Sequence, residues 1–296
     1  MKSPKLAWQS KFVLLLVLPA VGAQLVLEGA WWVTQFPDVA EWTVGLSLLL
    51  GLAAWQSRSA TAGAAVTGAA ICATLMFATT SVPYAPWRTA LVPVLTLLIL
   101  TSMATRVGRL KKQNLGTAES KAGRDVAQVA ANLGIAALIS SGMMQTWILN
   151  QTWLPGLMQS SSLLIAPALA AMAEAAADTV SSELGQVFNS HPRMITTLQR
   201  VPPGTDGAIS IAGTSAGALA AGVVVVVAAA SLQTGWLVPA LAWTGGMTGL
   251  FFDSLLGATL ERRSWLNNDG VNFLSTASAS GITLGLMAAL LPHLGR

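Results

Sequence analysis

Long apolar stretches recur along the whole chain and are separated by short polar segments. A helix of about 20 apolar residues crosses the hydrocarbon core of a bilayer, because it satisfies its backbone hydrogen bonds internally. The pattern therefore predicts an all-α, polytopic transmembrane bundle with about nine spans. The predicted spans cover residues 12–33, 42–57, 61–80, 87–105, 126–146, 160–183, 208–231, 236–257 and 272–292.

Composition supports a membrane protein and excludes several kinds of site. The chain is 53% hydrophobic and 9% charged, whereas an ordinary soluble domain is about 25% charged. Cys72 is the only cysteine of the sequence, and the two histidines, His191 and His293, are far apart. An intrachain disulfide, a thiolate cluster and a histidine-rich zinc site are therefore excluded. Any chemistry must rest on carboxylates, amides, hydroxyls, basic groups and backbone.

The basic residues predict the orientation of the bundle. With a cytoplasmic N-terminus, all 16 lysines and arginines except Arg88 and Arg296 lie on the cytoplasmic side. The positive-inside rule thus predicts a cytoplasmic N-terminus and an outer C-terminus, in an inner or plasma membrane. The net charge of +4 reflects this arrangement and does not indicate a nucleic-acid partner. An alternative for the first segment is a signal peptide with cleavage after Ala23.

Polar residues gather where the fifth predicted helix begins. They continue from the preceding cytoplasmic loop into the helix at a spacing of one turn, which places them on one face. Basic and amide groups at a helix N-terminus are typical of a phosphate-recognition surface. The residues are Glu119, Lys121, Arg124, Asp125, Gln128 and Asn132. The earlier basic run of this loop, 106–112, is equally well explained as an anchor to anionic lipid, and Lys111 and Lys112 are expected to be solvated.

Carboxylates inside the predicted spans indicate a second feature. Asp178 lies near the cytoplasmic end of the sixth helix, on one face with Glu174, and Asp253 lies near the cytoplasmic end of the eighth. Buried carboxylates are unfavourable without a partner, a cation or water. Two aspartates at similar depth predict a magnesium site, because Mg²⁺ binds one or two carboxylates together with phosphate oxygens. An internal ion pair or hydrogen bond is the alternative.

A glycine-rich turn, PPGTDG, precedes the seventh predicted helix. The turn residues Gly204, Thr205, Asp206 and Gly207 expose backbone N–H groups that can bind phosphate at the helix N-terminus. The same composition is also common in an ordinary turn that caps a helix.

Four segments, taken together and in this order, resemble a known family. They are ESKAGRDVAQVAANLG, ADTVSSELGQ, ITTLQRVPPGTDGAISIAGT and GLFFDSLLGATLE, the last followed by DGVN. They resemble the integral-membrane family of plant phytyl-phosphate kinase and transmembrane protein 19, which is similar to the CTP-dependent phytol and dolichol kinases. The resemblance covers residues 119–275 and implies two parts: four N-terminal membrane helices in 1–105 and a catalytic membrane domain of five spans in 106–296.

The resemblance implies an activity and a set of site residues. The activity is phosphoryl transfer from CTP or another nucleoside triphosphate to an isoprenoid monophosphate, with Mg²⁺, at the cytoplasmic face. The implied catalytic residues are Asp178, Asp253, Lys121 and Arg124, with Glu183 as a third metal ligand. The implied binding residues are Glu119, Gln128, Asn132, Ser182, Gly204, Thr205, Asp206, Gly207, Ser254 and Asn272. Two alternatives stay open: a cytidylyltransferase that forms a CDP-lipid, and a transporter or flippase without enzymatic activity.

Overall fold

A computed structural model describes residues 7–118, 120, 122–154, 162–188 and 191–294 of the chain. Within this part, eleven α-helices form the framework. They are α1 (Trp8–Gln35), α2 (Pro37–Gln56), α3 (Ala62–Thr79), α4 (Leu91–Arg106), α5 (Arg109–Leu115), α6 (Val126–Ser140), α7 (Gly142–Leu149), α8 (Ala166–Phe188), α9 (Ile211–Leu232), α10 (Leu237–Leu256) and α11 (Asn268–Leu294). A two-residue antiparallel pair, β1 (Arg193–Met194) and β2 (Ala208–Ile209), closes the loop between α8 and α9.

The all-α polytopic fold predicted from the apolar pattern is confirmed, since each of the nine predicted segments contains an α-helix. The predicted helix 126–146 is broken, however, into α6 and α7, which are bent by 57°. The break lies at Ser141, whose backbone is extended and whose hydroxyl accepts a hydrogen bond from Met144 N. Ser141 therefore ends one helix and caps the next.

Six described helices are long and apolar enough to cross a membrane, and the number rises to eight if each bent helix pair counts as one span. The bent pairs are α4 with α5, at 65°, and α6 with α7. Helix α10 has 20 residues but is not among the six, because threonines, glycines and Asp253 lower its hydropathy. The predicted number of nine spans and the orientation of the termini stay predictions.

Helix α8 lies at the centre of the bundle. Its first twelve residues, 166–177, are all buried, and alanine predominates among them. Small side chains allow close approach of neighbouring helices, and α4, α6, α9, α10 and α11 all pack against α8. The C-terminal half of α8 carries most of its polar residues, so they project among the ends of the surrounding helices.

The first four helices also pack against the later ones. Helix α3 contacts α6, helix α4 contacts α8 and α9, and α1 contacts α6 and α11. One continuous apolar cluster includes residues of both parts, for example Val17, Ile71, Ala130 and Met172. The boundary at residue 105 coincides with the end of α4, and the division into two domains stays a prediction.

Candidate functional site

A polar cleft opens between the ends of α6, α8, α9, α10 and α11, and its volume is about 360 Å³. All predicted site residues that fall in the described part of the chain line this cleft. They are Arg124, Gln128, Asn132, Asp178, Ser182, Glu183, Gly204, Thr205, Asp206, Gly207, Asp253, Ser254 and Asn272. Glu119 and Lys121 lie outside the described residues. The structure therefore brings together residues that are up to 148 positions apart in the sequence.

Asp178 of α8 and Asp253 of α10 face each other across the floor of the cleft. Both side chains line the cleft and interact with each other. Asp253 Oδ2 is buried and has no hydrogen-bond partner among the described residues. Like charges this close repel each other, and a cation between them relieves the repulsion. The two carboxylates and the orphaned oxygen thus fit the donor set that Mg²⁺ takes together with substrate phosphate oxygens.

Glu174 lies one turn deeper on the same face of α8. Its side chain is 1% exposed, and neither carboxylate oxygen has a hydrogen-bond partner in the described part of the chain. The side chain passes over Gly249 of α10, where a β-carbon would lie 2.7 Å from Glu174 Cγ. The glycine therefore makes room for a carboxyl group beneath the two aspartates.

Glu183, the predicted third metal ligand, lines the cleft, and its role as a ligand stays a prediction. Its carboxylate forms an ion pair with Lys112 Nζ at 2.5 Å. Within the residues that the structure describes, no group of three or more His, Cys, Asp or Glu side chains is arranged to hold a metal ion. Asp178 and Asp253 are thus two carboxylates of the cleft that lie on neighbouring helices, α8 and α10.

Lys112 is buried, contrary to the expectation that it is solvated. It is 1% exposed, and besides the Glu183 ion pair it donates hydrogen bonds to Ala104 O at 3.1 Å and Thr105 O at 2.7 Å. The sharp bend after α4 turns α5 towards α8 and places Lys112 against the carbonyl end of α4, where a cation is favourable. Lys111 is exposed and donates to Val187 O at 2.8 Å.

Arg124 is positioned by the backbone of the turn between α2 and α3. Arg124 N donates to Ser59 O at 3.1 Å, and Thr61 N donates to Arg124 O at 2.9 Å. The preceding Gly123 has a φ of +82°, and a β-carbon there would lie 2.6 Å from Ala60 N. Glycine is therefore required by both conformation and space. The guanidinium donates to Thr101 Oγ1 at 3.3 Å and interacts electrostatically with Asp178.

Four of the polar residues predicted for phosphate recognition and binding also hold the structure together. Asp125 and Gln128 form a capping box, in which Gln128 N donates to Asp125 Oδ1 at 3.0 Å and Asp125 N donates to Gln128 Oε1 at 2.8 Å. Asn272 Nδ2 of α11 donates to Asn132 Oδ1 of α6 at 3.1 Å. The polar side chains of α6 thus take part in capping and helix packing and also line the cleft.

The GTDG turn and the N-terminus of α9 are separate features. Gly204 and Gly207 both have positive φ angles, and a β-carbon at Gly207 would overlap the backbone of Ala258. Strand β2 follows the turn, and α9 is capped instead by Ser210, whose hydroxyl accepts from Gly213 N at 3.0 Å. The prediction that the turn itself opens the helix is therefore wrong, although both features line the cleft.

Sequence reasoning did not single out Glu261, which lies in the π-helical turn Gly257–Glu261 and lines the cleft. Burial raises the pKa of Glu261 to about 7, and the nearby charges of Asp206 and Asp178 act in the same direction. It stands just before Arg262 and Arg263 in the sequence, where a charged residue is ordinarily solvated. The sequence feature that could have identified Glu261 is its position at the end of the motif GLFFDSLLGATLE.

The sequence matches one described family of membrane proteins. The family described as "Integral membrane protein DUF92" matches residues 45–280. An uncharacterized membrane protein of Methanocaldococcus jannaschii is 45% identical over 109 residues, which are 36% of this chain and 45% of the relative. An uncharacterized membrane protein of Synechocystis sp. is 32% identical over 215 residues, which are 68% of this chain and 75% of the relative.

A plant protein is also similar. "Protein VTE6, chloroplastic" of Arabidopsis thaliana is 28% identical over 203 residues, which are 65% of this chain and 55% of that protein. The chain thus spans about half the length of the archaeal and the plant relative. No solved structure matches the chain.

Proposed function

Because the chain belongs to the integral membrane protein family DUF92, we propose that it is a membrane-embedded kinase that resembles phytyl-phosphate kinase. The resemblance to that kinase family, inferred from four motifs, is confirmed at the level of the family. The similarity to VTE6 supports a kinase of this type. The substrates we propose are an isoprenoid monophosphate and a nucleoside triphosphate, in the first place CTP, at the cytoplasmic face of an inner or plasma membrane.

One observation carries this proposal: a single cleft combines a guanidinium, two facing carboxylates and the N-terminus of a helix. Arg124 provides two parallel donors for phosphate oxygens. Ser210 and Gly213 lie at the N-terminus of α9, where the backbone and the helix dipole favour an anion. A cleft with these three features can hold several phosphate groups close together, as phosphoryl transfer requires.

The proposed reaction needs little covalent chemistry from the protein. An ionised oxygen of the lipid phosphate attacks the γ-phosphorus of the nucleotide, an O–P bond forms, and the bond between the γ-phosphorus and its bridging oxygen breaks. The products are a lipid diphosphate and a nucleoside diphosphate. Since the attacking oxygen is already ionised, no histidine or cysteine base is required. Catalysis then rests on positioning and charge neutralisation.

Asp178 and Asp253 are the residues that we propose hold Mg²⁺. When bound, the ion neutralises charge on the transferring phosphate groups. Arg124 orients the lipid phosphate beside the carboxylates, and its own position is fixed through its backbone. The buried floor below the two aspartates excludes bulk water from the reacting groups.

The test is to incubate the purified protein with Mg²⁺, CTP or ATP, and a panel of prenyl monophosphates, and to identify the products by mass. A lipid diphosphate supports the kinase. A CDP-lipid with release of pyrophosphate supports the cytidylyltransferase, and lipid movement in vesicles without any product supports a transporter.

The matched variants are Asp178→Asn and Asp253→Asn, with Asp38→Asn as the control. Asp38 lies in the first turn of α2 and is exposed. Each cleft variant is expected to lower turnover at least about a hundredfold, while the control keeps it. Near-normal turnover in both cleft variants would place the metal site elsewhere.

A further inference from the structure

A second cavity lies beside the polar cleft, and it is almost entirely apolar. It is lined by α2, α3, α4, α6 and α8 and leaves about 80 Å³ for the centres of water-sized groups. On one side its wall consists of small residues, among them Gly51, Ala64 and Gly68, and on the other of leucines such as Leu97 and Leu133. We refer to it as the apolar pocket. It is built largely by the first four helices, for which the motifs give no role.

The apolar pocket and the polar cleft are contiguous. Arg124, Asn132 and Thr179 line both of them. The Arg124 guanidinium therefore stands at the boundary, and its hydrogen-bond partner Thr101 also lines the apolar pocket. A cationic group between a polar and an apolar cavity matches a molecule with an anionic head and a hydrocarbon tail.

We propose that the apolar pocket holds the first isoprene unit of the lipid monophosphate acceptor, with its phosphate at Arg124. The identity of the acceptor as an isoprenoid phosphate rests on the proposed function. The evidence that the pocket binds part of this acceptor is its apolar lining and its continuity with the cleft. Helices α2–α4 then contribute directly to recognition of the substrate.

The size of the apolar pocket limits how much of the tail it holds. A volume of 80 Å³ corresponds to roughly five to eight water-sized groups, at about 10–15 Å³ for each centre. An isoprene unit has five carbon atoms, so one unit or slightly more fits. The enzyme therefore recognises the tail next to the phosphate and does not select its total length.

The remainder of the tail leaves the protein between α4 and its neighbours. Helices α2 and α3 pack closely along each other, whereas α4 touches both of them sparsely. Leu50 and Leu98 line the pocket and are only half-buried. A gap of this kind opens the pocket towards the surrounding hydrocarbon, where further isoprene units are favourable.

Gly68 provides a direct test. A β-carbon at Gly68 meets only Val129 Cγ1, at 3.9 Å, so a larger side chain is tolerated and occupies the apolar pocket. Gly45 is the matched control, because it is also a helical glycine and has no atom within 4 Å of its β-carbon position. Gly68→Leu is expected to raise KM for geranyl monophosphate at least tenfold and to leave KM for the nucleotide within twofold. Gly45→Leu changes neither value.

A second measurement does not depend on turnover. Geranyl monophosphate with a diazirine on its first isoprene unit is expected to label the segments 60–68 and 94–101 in the unaltered protein and in Gly45→Leu. Labelling of these segments falls at least tenfold in Gly68→Leu. A C20 monophosphate with the diazirine at the far end of its tail labels lipid instead.

The outcomes separate this inference from the proposed function. Labelling of the pocket without any phosphorylated product would support the pocket and overturn the kinase. Normal turnover in Gly68→Leu, with labels elsewhere, would overturn the pocket and leave the kinase intact. Displacement of the probe by phosphatidic acid as readily as by unlabelled geranyl monophosphate would show a general acyl site and likewise overturn the proposal.

Discussion

Lys112 shows how one side chain in a basic loop can differ from its neighbours. It bonds to the end of α4 and to Glu183 of α8, whereas Lys111 is exposed. Nothing in the sequence distinguishes the two lysines, because the apolar pattern does not indicate the bend before α5. The Lys112–Glu183 ion pair therefore connects α5 to the central helix α8.

This ion pair predicts that Lys112→Ala and Lys111→Ala differ in their effect on the stability of the protein. Lys112→Ala leaves Glu183 without its cation, and breaking a buried pair in this way costs about 3–5 kcal/mol. The expected decrease in Tm is roughly 5–15 °C, measured by thermal denaturation in detergent. Lys111→Ala is the control and changes Tm little, because an exposed lysine contributes little. Equal shifts in the two variants would contradict the buried role of Lys112.

Glu261 predicts a pH dependence of stability. Its folded-state pKa is about 7, above the usual value for a glutamate, because burial and the acids around it disfavour the charged form. Between about pH 4.5 and 7 the folded state therefore binds more protons than the unfolded state. Its contribution to stability is complete at low pH and is lost as the pH rises through 7.

The variant Glu261→Gln removes this titration. We expect the Tm of the variant to exceed that of the unaltered protein by an amount that grows from pH 5 to pH 8, measured in the presence of a chelator. A Tm difference that stays constant across this range would show that the pKa of Glu261 is not raised.

At the scale of helices and strands, the length of the apolar stretches predicted where the helices lie but not where they bend. The apolar pattern continues through Ser141, so the break between α6 and α7 depends on local capping, and strands of two residues are too short to leave a pattern. The cleft residues were predictable because polar groups inside apolar spans need a partner. Lys112 and Glu261 were not, because each stands beside other charged residues in the sequence, where solvation is the ordinary outcome.

The α2–α3 turn contacts the backbone of residues 123–124. We therefore expect this backbone contact to affect activity through the position of Arg124. Gly123→Ala is expected to lower kcat/KM for the lipid phosphate at least tenfold, because the methyl group displaces the backbone segment that carries Arg124. Gly116→Ala is the matched control: Gly116 also has a positive φ, of +74°, but no atom lies within 4 Å of its β-carbon position. Both variants share the strain of a left-handed alanine, so similar losses would mean that the contact with Ala60 is irrelevant.

At the scale of the whole molecule, the orientation of the bundle is open to direct measurement. We expect Gln113→Cys and Asn268→Cys to react with an impermeant maleimide from the cytoplasmic side, and Gln151→Cys from the outside, as the distribution of basic residues predicts. Cys72 is buried, so the unaltered protein serves as the unlabelled control. Reaction of Gln113→Cys or Asn268→Cys from the outer side would reverse the orientation and place the cleft on the other face.

The buried carboxylate of Glu174 has a consequence for how the chain enters the membrane. Its neighbour Gly249 lies 75 residues further along the chain, which at about 5–20 residues per second takes roughly 4–15 s to synthesise. During that interval α8 holds an acidic group in or near hydrocarbon without the helix that later covers it.

In chains ending at residue 232, we expect Glu174→Gln to raise the membrane-inserted fraction of α8 at least twofold, while Glu41→Gln, on the exposed side of α2, has no effect. In chains extended to residue 267, which include α10, the benefit of Glu174→Gln should disappear; an equal gain at both lengths would mean that α10 does not shield this carboxylate during biosynthesis.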